Sequence, residues 1–194
     1  MGRGIYGNAV LISHQLIAQV VQPGDTVIDA TCGRGKDTLF LAQLVGAQGK
    51  VYAFDIQDKA IESTRQLLAQ NNCLEQVVLV NDNHARMASY IEGQPRACMF
   101  NLGYLPGGDH RIITRADDIQ QALLTGINLL TEGGIISLVF YPGHPGGQEE
   151  IAAIENYLTK LPQQLFEVTK TLFLNQINYP PQIISIEKLS GGHL

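Results

Sequence analysis

The chain has 194 residues, 45% hydrophobic and 16% charged, which is the composition of an ordinary folded protein and argues against long disorder. Its formal net charge of -5 argues against general nonspecific binding of nucleic acid but is compatible with a local basic patch. Three cysteines favour a reducing compartment over a disulfide framework. No signal peptide and no apolar run of the roughly 18 residues needed for a membrane span are found, so we predict a cytoplasmic protein.

The first half of the chain alternates helical and strand patterns. Apolar residues at helical spacing predict a helix over 8–21, which Pro23 and Gly24 end. Buried strands are predicted at 26–30, 50–54, 77–80 and 97–100, with helices at 37–46, 58–71 and 84–91. Strands that alternate with helices in this way are typical of a doubly wound parallel sheet.

The second half completes this sheet. A glycine-rich loop over 103–111 precedes a predicted helix at 115–130 and a fifth strand at 135–141. A second loop of this kind, 142–148, leads into a helix at 149–161. The last strands, 165–173 and 183–188, have no helical stretch between them and should pair as an antiparallel hairpin at the sheet edge.

The predicted fold is therefore α/β and Rossmann-like, with a mostly parallel seven-stranded sheet and a C-terminal antiparallel β-hairpin. We predict one domain over 1–194, with an N-terminal helix in 1–22 and the core in 23–194.

The turn after the first strand predicts a ligand site. In the stretch VIDATCGRGKDTLFL, Gly33 and Gly35 permit positive φ and let a ligand approach the backbone closely. Asp37 and Thr38 fall in the first turn of the next helix, where free N–H groups favour an acid or an acceptor. In open α/β sheets ligands bind at such a junction, outside the carboxyl ends of the strands.

Acidic residues at three predicted strand ends indicate which ligand is bound. Asp55 is suited to accept hydrogen bonds from both hydroxyls of a ribose, and Asp82 from an adenine amino group. Asp29 lies beside the glycine turn, where a carboxylate repels phosphate and attracts a cation. S-adenosylmethionine carries a sulfonium and an ammonium and no phosphate, so the pattern favours it as the cofactor. The predicted cofactor-binding residues are Asp29, Thr31, Gly33, Gly35, Asp37, Thr38, Asp55, Ile56, Gln57, Asp82, Asn83, His84 and Asn101.

Other interpretations of this pattern stay open. A nicotinamide dinucleotide is the main alternative cofactor, although the turn GRGKDT lacks the third glycine of G-x-G-x-x-G. The three acids could also only cap their strands, and the fold could serve a noncatalytic RNA-binding module.

A candidate acceptor site follows the fourth strand. In Asn101-Leu102-Gly103-Tyr104, the amide oxygen and an adjacent carbonyl can accept both N–H bonds of an amine and aim its lone pair at a methyl group. Tyr104 offers a face on which a base can stack. The arrangement resembles the Asn/Asp-Pro-Pro-Tyr motif of amine-directed methyltransferases, with Leu102-Gly103 in place of the two prolines.

A wider resemblance covers nearly the whole chain. The stretches DATCGRGKDTLFLA, VYAFDIQ, NLGYLPGGDH, YPGHPGG and NQINYPPQIISIEK are similar to the YtqB-like family once called rRNA methylases. That family is now understood as MnmM, the bacterial tRNA 5-aminomethyl-2-thiouridine methyltransferases. The resemblance implies a class I methyltransferase fold and methylation of the aminomethyl nitrogen of a wobble uridine, giving 5-methylaminomethyl-2-thiouridine. It also implies tRNA as partner and a homodimer; a ribosomal RNA base stays open as the alternative substrate.

Amine chemistry adds requirements to the site. A primary amine is mostly protonated near neutral pH, so the site must lower its pKa or supply a base. Our hypothesis is that Asp109 orients the ammonium and that His144 or a water accepts its proton; His110 and His144 could instead contact RNA phosphate or brace a turn. Arg111 and Arg115 are predicted to bind the phosphate backbone.

Several other polar residues are not given a catalytic role. His14, in the first helix, is interpreted as a packing residue rather than a cofactor contact, and Cys32 is not expected to act as a nucleophile. No cluster of His, Cys and acidic residues has metal-ligand spacing, and we predict no metal.

Overall fold

We describe the fold from a computed structural model, which covers residues 7–102, 116–143 and 146–191. Its elements are α1 (Ala9–Val20), β1 (Thr26–Asp29), α2 (Lys36–Val45), β2 (Lys50–Phe54), α3 (Asp58–Gln70), β3 (Val77–Val80), a 3₁₀ helix (His84–Ser89), β4 (Ala97–Leu102), α4 (Ala116–Leu129), β5 (Ile135–Phe140), α5 (Gly147–Leu158), β6 (Phe166–Thr171) and β7 (Gln182–Lys188).

The strands form one seven-stranded sheet in the order β3-β2-β1-β4-β5-β7-β6. The first five strands are parallel, whereas β7 pairs antiparallel with both β5 and β6. The predicted mostly parallel sheet with a C-terminal hairpin is therefore confirmed. The strand order reverses between β1 and β4, which opens a crevice at their carboxyl ends.

Apolar side chains cover both faces of the sheet, as parallel strands require. Neighbouring residues of β1 point to opposite faces: Val27 belongs to an apolar cluster that includes residues of α1 and α2, and Ile28 to one that includes residues of α4 and α5. The central strands are consequently buried on both sides, and their free polar groups lie at the strand ends.

Three local details differ from the sequence prediction. β4 continues two residues further, because Asn101 and Leu102 pair with Val139 and Phe140 of β5; Asn101 therefore lies within the strand. β3 ends at Val80, so Asp82 follows the strand by two residues rather than ending it. The short helix predicted at 84–91 is a 3₁₀ helix.

The N-terminal helix α1 is fixed to the sheet by a cap, a polar contact and apolar packing. The Asn8 side chain accepts a hydrogen bond from the Leu11 N–H, which caps the helix. The Ser13 and Ser137 hydroxyls, both fully buried, are hydrogen-bonded at 2.7 Å and join α1 to β5. Ala9 packs in a cluster with Val139, near the carboxyl end of β5. The helix thus reaches the sheet edge at which the ligand site is predicted.

No helix within the described ranges has the length and apolarity needed to cross a bilayer.

Candidate active site

The turn between β1 and α2 requires glycine for two reasons. Gly33 and Gly35 have φ of 52° and 80°, which confirms the positive φ predicted for this turn. A Cβ atom at Gly35 would lie 2.9 Å from the Cα of Thr64 in α3. The turn therefore packs closely against α3.

Asp29 is an almost fully buried acid at the end of β1, with 1% of its surface exposed. Its Oδ2 accepts a hydrogen bond from the Thr38 hydroxyl at 2.6 Å, and its Oδ1 accepts one from the Thr31 N–H at 3.1 Å. Burial, followed by the charge of Asp37, raises the pKa of Asp29 to about 7. Asp29 is thus poised to ionise when a cation approaches.

Asp55, directly after β2, joins that strand to the glycine turn. Its Oδ2 accepts a hydrogen bond from the Gly33 N–H at 3.0 Å, and its Oδ1 accepts one from the Gln57 N–H at 2.9 Å. Burial raises the pKa of this carboxyl above its ordinary value. The neighbouring Ile56 side chain is 49% exposed, which leaves an apolar surface beside the carboxylate for a flat ring.

The segment after β3 carries the next predicted residues. The Asp82 carboxylate accepts a hydrogen bond from the Tyr90 hydroxyl at 2.7 Å and lies 3.6 Å from the Arg86 guanidinium. The Tyr90 hydrogen bond is the main cause that lowers the pKa of Asp82. Asn83 donates through its Nδ2 to Asp118 at 2.9 Å, which ties this segment to α4.

His84 has a buried ring nitrogen that can serve a ligand. Its Nδ1 lies 2.9 Å from the carbonyl oxygen of Ala30, so Nδ1 carries the hydrogen and Nε2 is an acceptor. Burial lowers the pKa of His84, which favours this neutral form. Nε2 is buried and has no hydrogen-bond partner in the described part of the chain. Such a group costs free energy unless a donor reaches it.

Asn101 is held on two sides. Its backbone N–H donates to the Thr31 hydroxyl at 2.7 Å, and its Nδ2 donates to Oδ2 of Asp37 at 3.0 Å. Because a carboxylate only accepts, this second bond fixes which end of the amide is nitrogen and turns Oδ1 away from Asp37. The amide at the end of β4 is therefore fixed in one orientation.

Tyr141, immediately after β5, belongs to the same site, although the sequence analysis gave it no role. Burial, followed by the charge of Asp37, raises the pKa of Tyr141, so the phenol stays neutral. The phenol lies near the Asn101 side chain, which acts to lower the pKa of Tyr141. Its position in the sequence could have indicated this, because Tyr141 directly follows β5, the strand that pairs with β4, and so lies at the same edge of the sheet as Asn101.

Cys32 and His14, which were given no catalytic role from the sequence, both pack inside the described structure. Cys32 is buried, and burial raises the pKa of its thiol far above the ordinary value, so the thiol stays protonated. His14 packs as predicted, with its ring stacked on Phe40 at 3.9 Å between centroids. Its Nε2 also lies 2.8 Å from Oδ1 of Asp37, a contact that the sequence did not reveal.

The structure thus brings the acids of β1 and β2, the glycine turn, and Asn101 to one edge of the sheet. Tyr104, Asp109, His110, Arg111, Arg115 and His144 lie outside the described residues, and their roles stay predictions. Across the described ranges, no group of three or more His, Cys, Asp or Glu side chains is placed to hold a metal ion.

This topology, with a glycine turn after β1 and an acid after β2, is that of a class I methyltransferase. The sequence model described as "Putative rRNA methylase" matches residues 51–187, and the chain belongs to that family. A second model, described as ribosomal protein L11 methyltransferase, matches residues 9–92.

One relative from a plant is similar to this chain over most of the chain's length. The chain is 45% identical over 178 residues to the "tRNA (mnm(5)s(2)U34)-methyltransferase, chloroplastic" of Arabidopsis thaliana, a match that covers 87% of this chain and 65% of the relative. The chain therefore spans slightly less than two thirds of that relative's length.

Two crystal structures match at nearly full length, each over 94% of this chain and 98% of the other. The first, from Clostridium thermocellum, is described as a "putative rRNA-methylase"; it has 48% identity and a TM-score of 0.92. The second, from Streptococcus mutans, is described as "a putative methyltransferase" in complex with SAH; it has 38% identity and a TM-score of 0.85.

Proposed function

We propose that this protein is an S-adenosylmethionine-dependent N-methyltransferase that acts on tRNA. Its substrate would be the 5-aminomethyl group of wobble 5-aminomethyl-2-thiouridine, and its product 5-methylaminomethyl-2-thiouridine. The observation that carries the proposal is the fixed Asn101 amide, at the end of β4 beside a crevice with buried carboxyl groups. The similarity to the chloroplastic tRNA (mnm(5)s(2)U34)-methyltransferase supports the choice of substrate.

The residues of the crevice fit this cofactor. Asp29 and Asp55, with the neighbouring Asp37, suit a cationic ligand better than a phosphate-bearing dinucleotide. The Asp55 carboxylate and the exposed surface of Ile56 are placed for a ribose and a flat ring, and the unpaired Nε2 of His84 can accept a further hydrogen bond. When bound, S-adenosylmethionine supplies a methyl group that is activated by its positively charged sulfur.

The acceptor side of the reaction depends on alignment. With its Nδ2 donated to Asp37, Asn101 presents Oδ1 as an acceptor for an amine N–H. Holding the amine lone pair in line with the methyl carbon converts a bimolecular step into an effectively unimolecular one. The nitrogen–carbon bond forms as the carbon–sulfur bond breaks, and one proton leaves the nitrogen.

The remaining roles in the proposal come from the sequence. Tyr104 stacks on the target base, Asp109 orients the ammonium, and His144 or a water accepts the proton. Arg111 and Arg115 bind the RNA phosphates. A cytoplasmic homodimer is likewise part of the proposal rather than of the described geometry.

Ribosomal RNA is the second candidate substrate, because the matching family carries an rRNA methylase description. The chemistry at Asn101 would be the same, and only the RNA presented to it would differ.

Nucleoside mass spectrometry separates these possibilities. The protein and S-adenosylmethionine are incubated with tRNA rich in 5-aminomethyl-2-thiouridine, and in parallel with ribosomal RNA from cells lacking the enzyme. Gain of one methyl mass on the tRNA nucleoside supports the proposal, and the Asn101→Ala variant should lose that gain. A gain on ribosomal RNA alone would contradict the proposed substrate and identify ribosomal RNA as the substrate instead.

A further inference from the structure

We propose that His14 of α1 is a positioning residue that fixes the Asn101 amide through Asp37. The mechanistic part of this inference rests on the proposed function, in which Asn101 holds the acceptor amine. The contacts themselves are independent of it.

One carboxylate bridges α1 and β4. Oδ1 of Asp37 lies 2.8 Å from Nε2 of His14, and Oδ2 of the same carboxylate accepts a hydrogen bond from Nδ2 of Asn101 at 3.0 Å. Asp37 is 7% exposed, so water offers little competition for these two bonds. Its oxygens are thus shared between a histidine from the first helix and the amide of the acceptor site.

The His14 ring is itself held in place. It stacks on Phe40 with centroids 3.9 Å apart and ring planes 1° from parallel. The adjacent Ser13 is hydrogen-bonded with Ser137 inside the protein, which fixes α1 to β5. The imidazole therefore holds the Asp37 carboxylate against rotation.

The orientation of Asp37 matters because the two ends of an Asn amide have nearly the same shape. If the carboxylate turned away, Asn101 could rotate and present its NH₂ group where the amine needs an acceptor. In this proposal His14 restrains the rotation through its contact with Asp37. Misplacement of a reacting group by about 1 Å can cost on the order of a hundredfold in rate, so we expect a lower kcat with little change in cofactor affinity.

The test compares His14→Ala with His14→Gln, whose amide nitrogen can still donate to Asp37. Gln19→Ala, an exposed position of the same helix, is the matched control. Three quantities are measured: the cofactor Kd by calorimetry, kcat and KM with tRNA, and the nitrogen-15 spectrum of the Asn101 side-chain amide, assigned by its loss in Asn101→Ala. We expect His14→Ala to lower kcat about ten- to a hundredfold and to shift the Asn101 amide resonances, with Kd within about threefold of wild type. His14→Gln should recover most of both effects.

Two results would overturn the inference. One is an unchanged Asn101 amide spectrum in His14→Ala, because His14 would then not control that side chain. The other is a Kd that rises in parallel with the loss of kcat, because His14 would then serve the cofactor site. The spectrum requires no turnover, so failure of the wild type to methylate tRNA would reject the proposed function and still leave the positioning contact open to measurement. If His14→Ala does not fold, a spectrum of His14→Gln that matches wild type supports the contact, and a shifted one contradicts it.

Discussion

Replacing Asp29 by asparagine should stabilise the unliganded protein and impair cofactor binding. The amide has the shape of the carboxyl group, and its oxygen can accept from the Thr31 N–H while its nitrogen donates to the Thr38 hydroxyl. Both hydrogen bonds of the carboxylate are therefore retained. The substitution therefore removes only a charge that is almost fully shielded from water, because 1% of the Asp29 surface is exposed.

The magnitude follows from the raised pKa. Burial and the charge of Asp37 move the pKa of Asp29 from 3.8 to about 7, so the native state keeps a proton that the unfolded state has lost across this range. The free energy of unfolding consequently falls as pH rises from about 4 to about 7 and is level above it. Three pH units correspond to at most about 4 kcal/mol. Since Asp29→Asn lacks this titration, we expect it to be more stable than wild type by about 1–4 kcal/mol near pH 8, and by close to nothing near pH 4.

Urea unfolding of the unliganded protein at several pH values between about 5 and 8 measures this difference. Glu75→Gln, at an exposed position before β3, is the matched control and should track wild type at each pH. A stability difference for Asp29→Asn that does not change with pH would refute the argument from the buried carboxyl. Calorimetry on the same variant should show weaker binding of S-adenosylmethionine, because the cation has lost its partner. Stability would then have been gained at the expense of function.

Three further predictions follow from neighbouring contacts. At about pH 6, binding of S-adenosylmethionine should release protons as Asp29 ionises; calorimetry in buffers of different ionisation enthalpy measures this, and no release would contradict it. Ser13→Ala leaves the buried Ser137 hydroxyl without its hydrogen-bond partner and should lower the free energy of unfolding by about 1–3 kcal/mol, measured with urea. The double variant Ser13→Ala/Ser137→Ala should recover most of this loss. If the effects of the two substitutions simply add, the two hydroxyls are not coupled. Gly35→Ala, with φ of 80° and a Cβ 2.9 Å from the Cα of Thr64, should lose at least about 2 kcal/mol and bind the cofactor poorly; an equally stable variant would show that the turn can relax.

The sequence by itself determined the order of the elements and the edge of the sheet at which the candidate site lies. Buried parallel strands are continuous apolar runs and their helices are amphipathic, so both patterns are local and can be read from the printed letters. The strands and helices of the described ranges accordingly lie within a few residues of their predictions. Because the carboxyl ends of parallel strands meet at one edge, the positions of Asp29, Asp55 and Asn101 were sufficient to predict their proximity.

Only the tertiary structure decided how those residues are bonded and ionised. The contacts of His14 with Asp37, of Asp37 with Asn101, and of Asn101 with Tyr141 join elements far apart in the chain, and no local pattern encodes such a distance. The pKa of Asp29 likewise depends on burial and on the nearby Asp37, both of which arise when β1 and α2 pack together. The sequence placed His14 in a helix; the packing of that helix against β5 brought its imidazole to the Asp37 carboxylate.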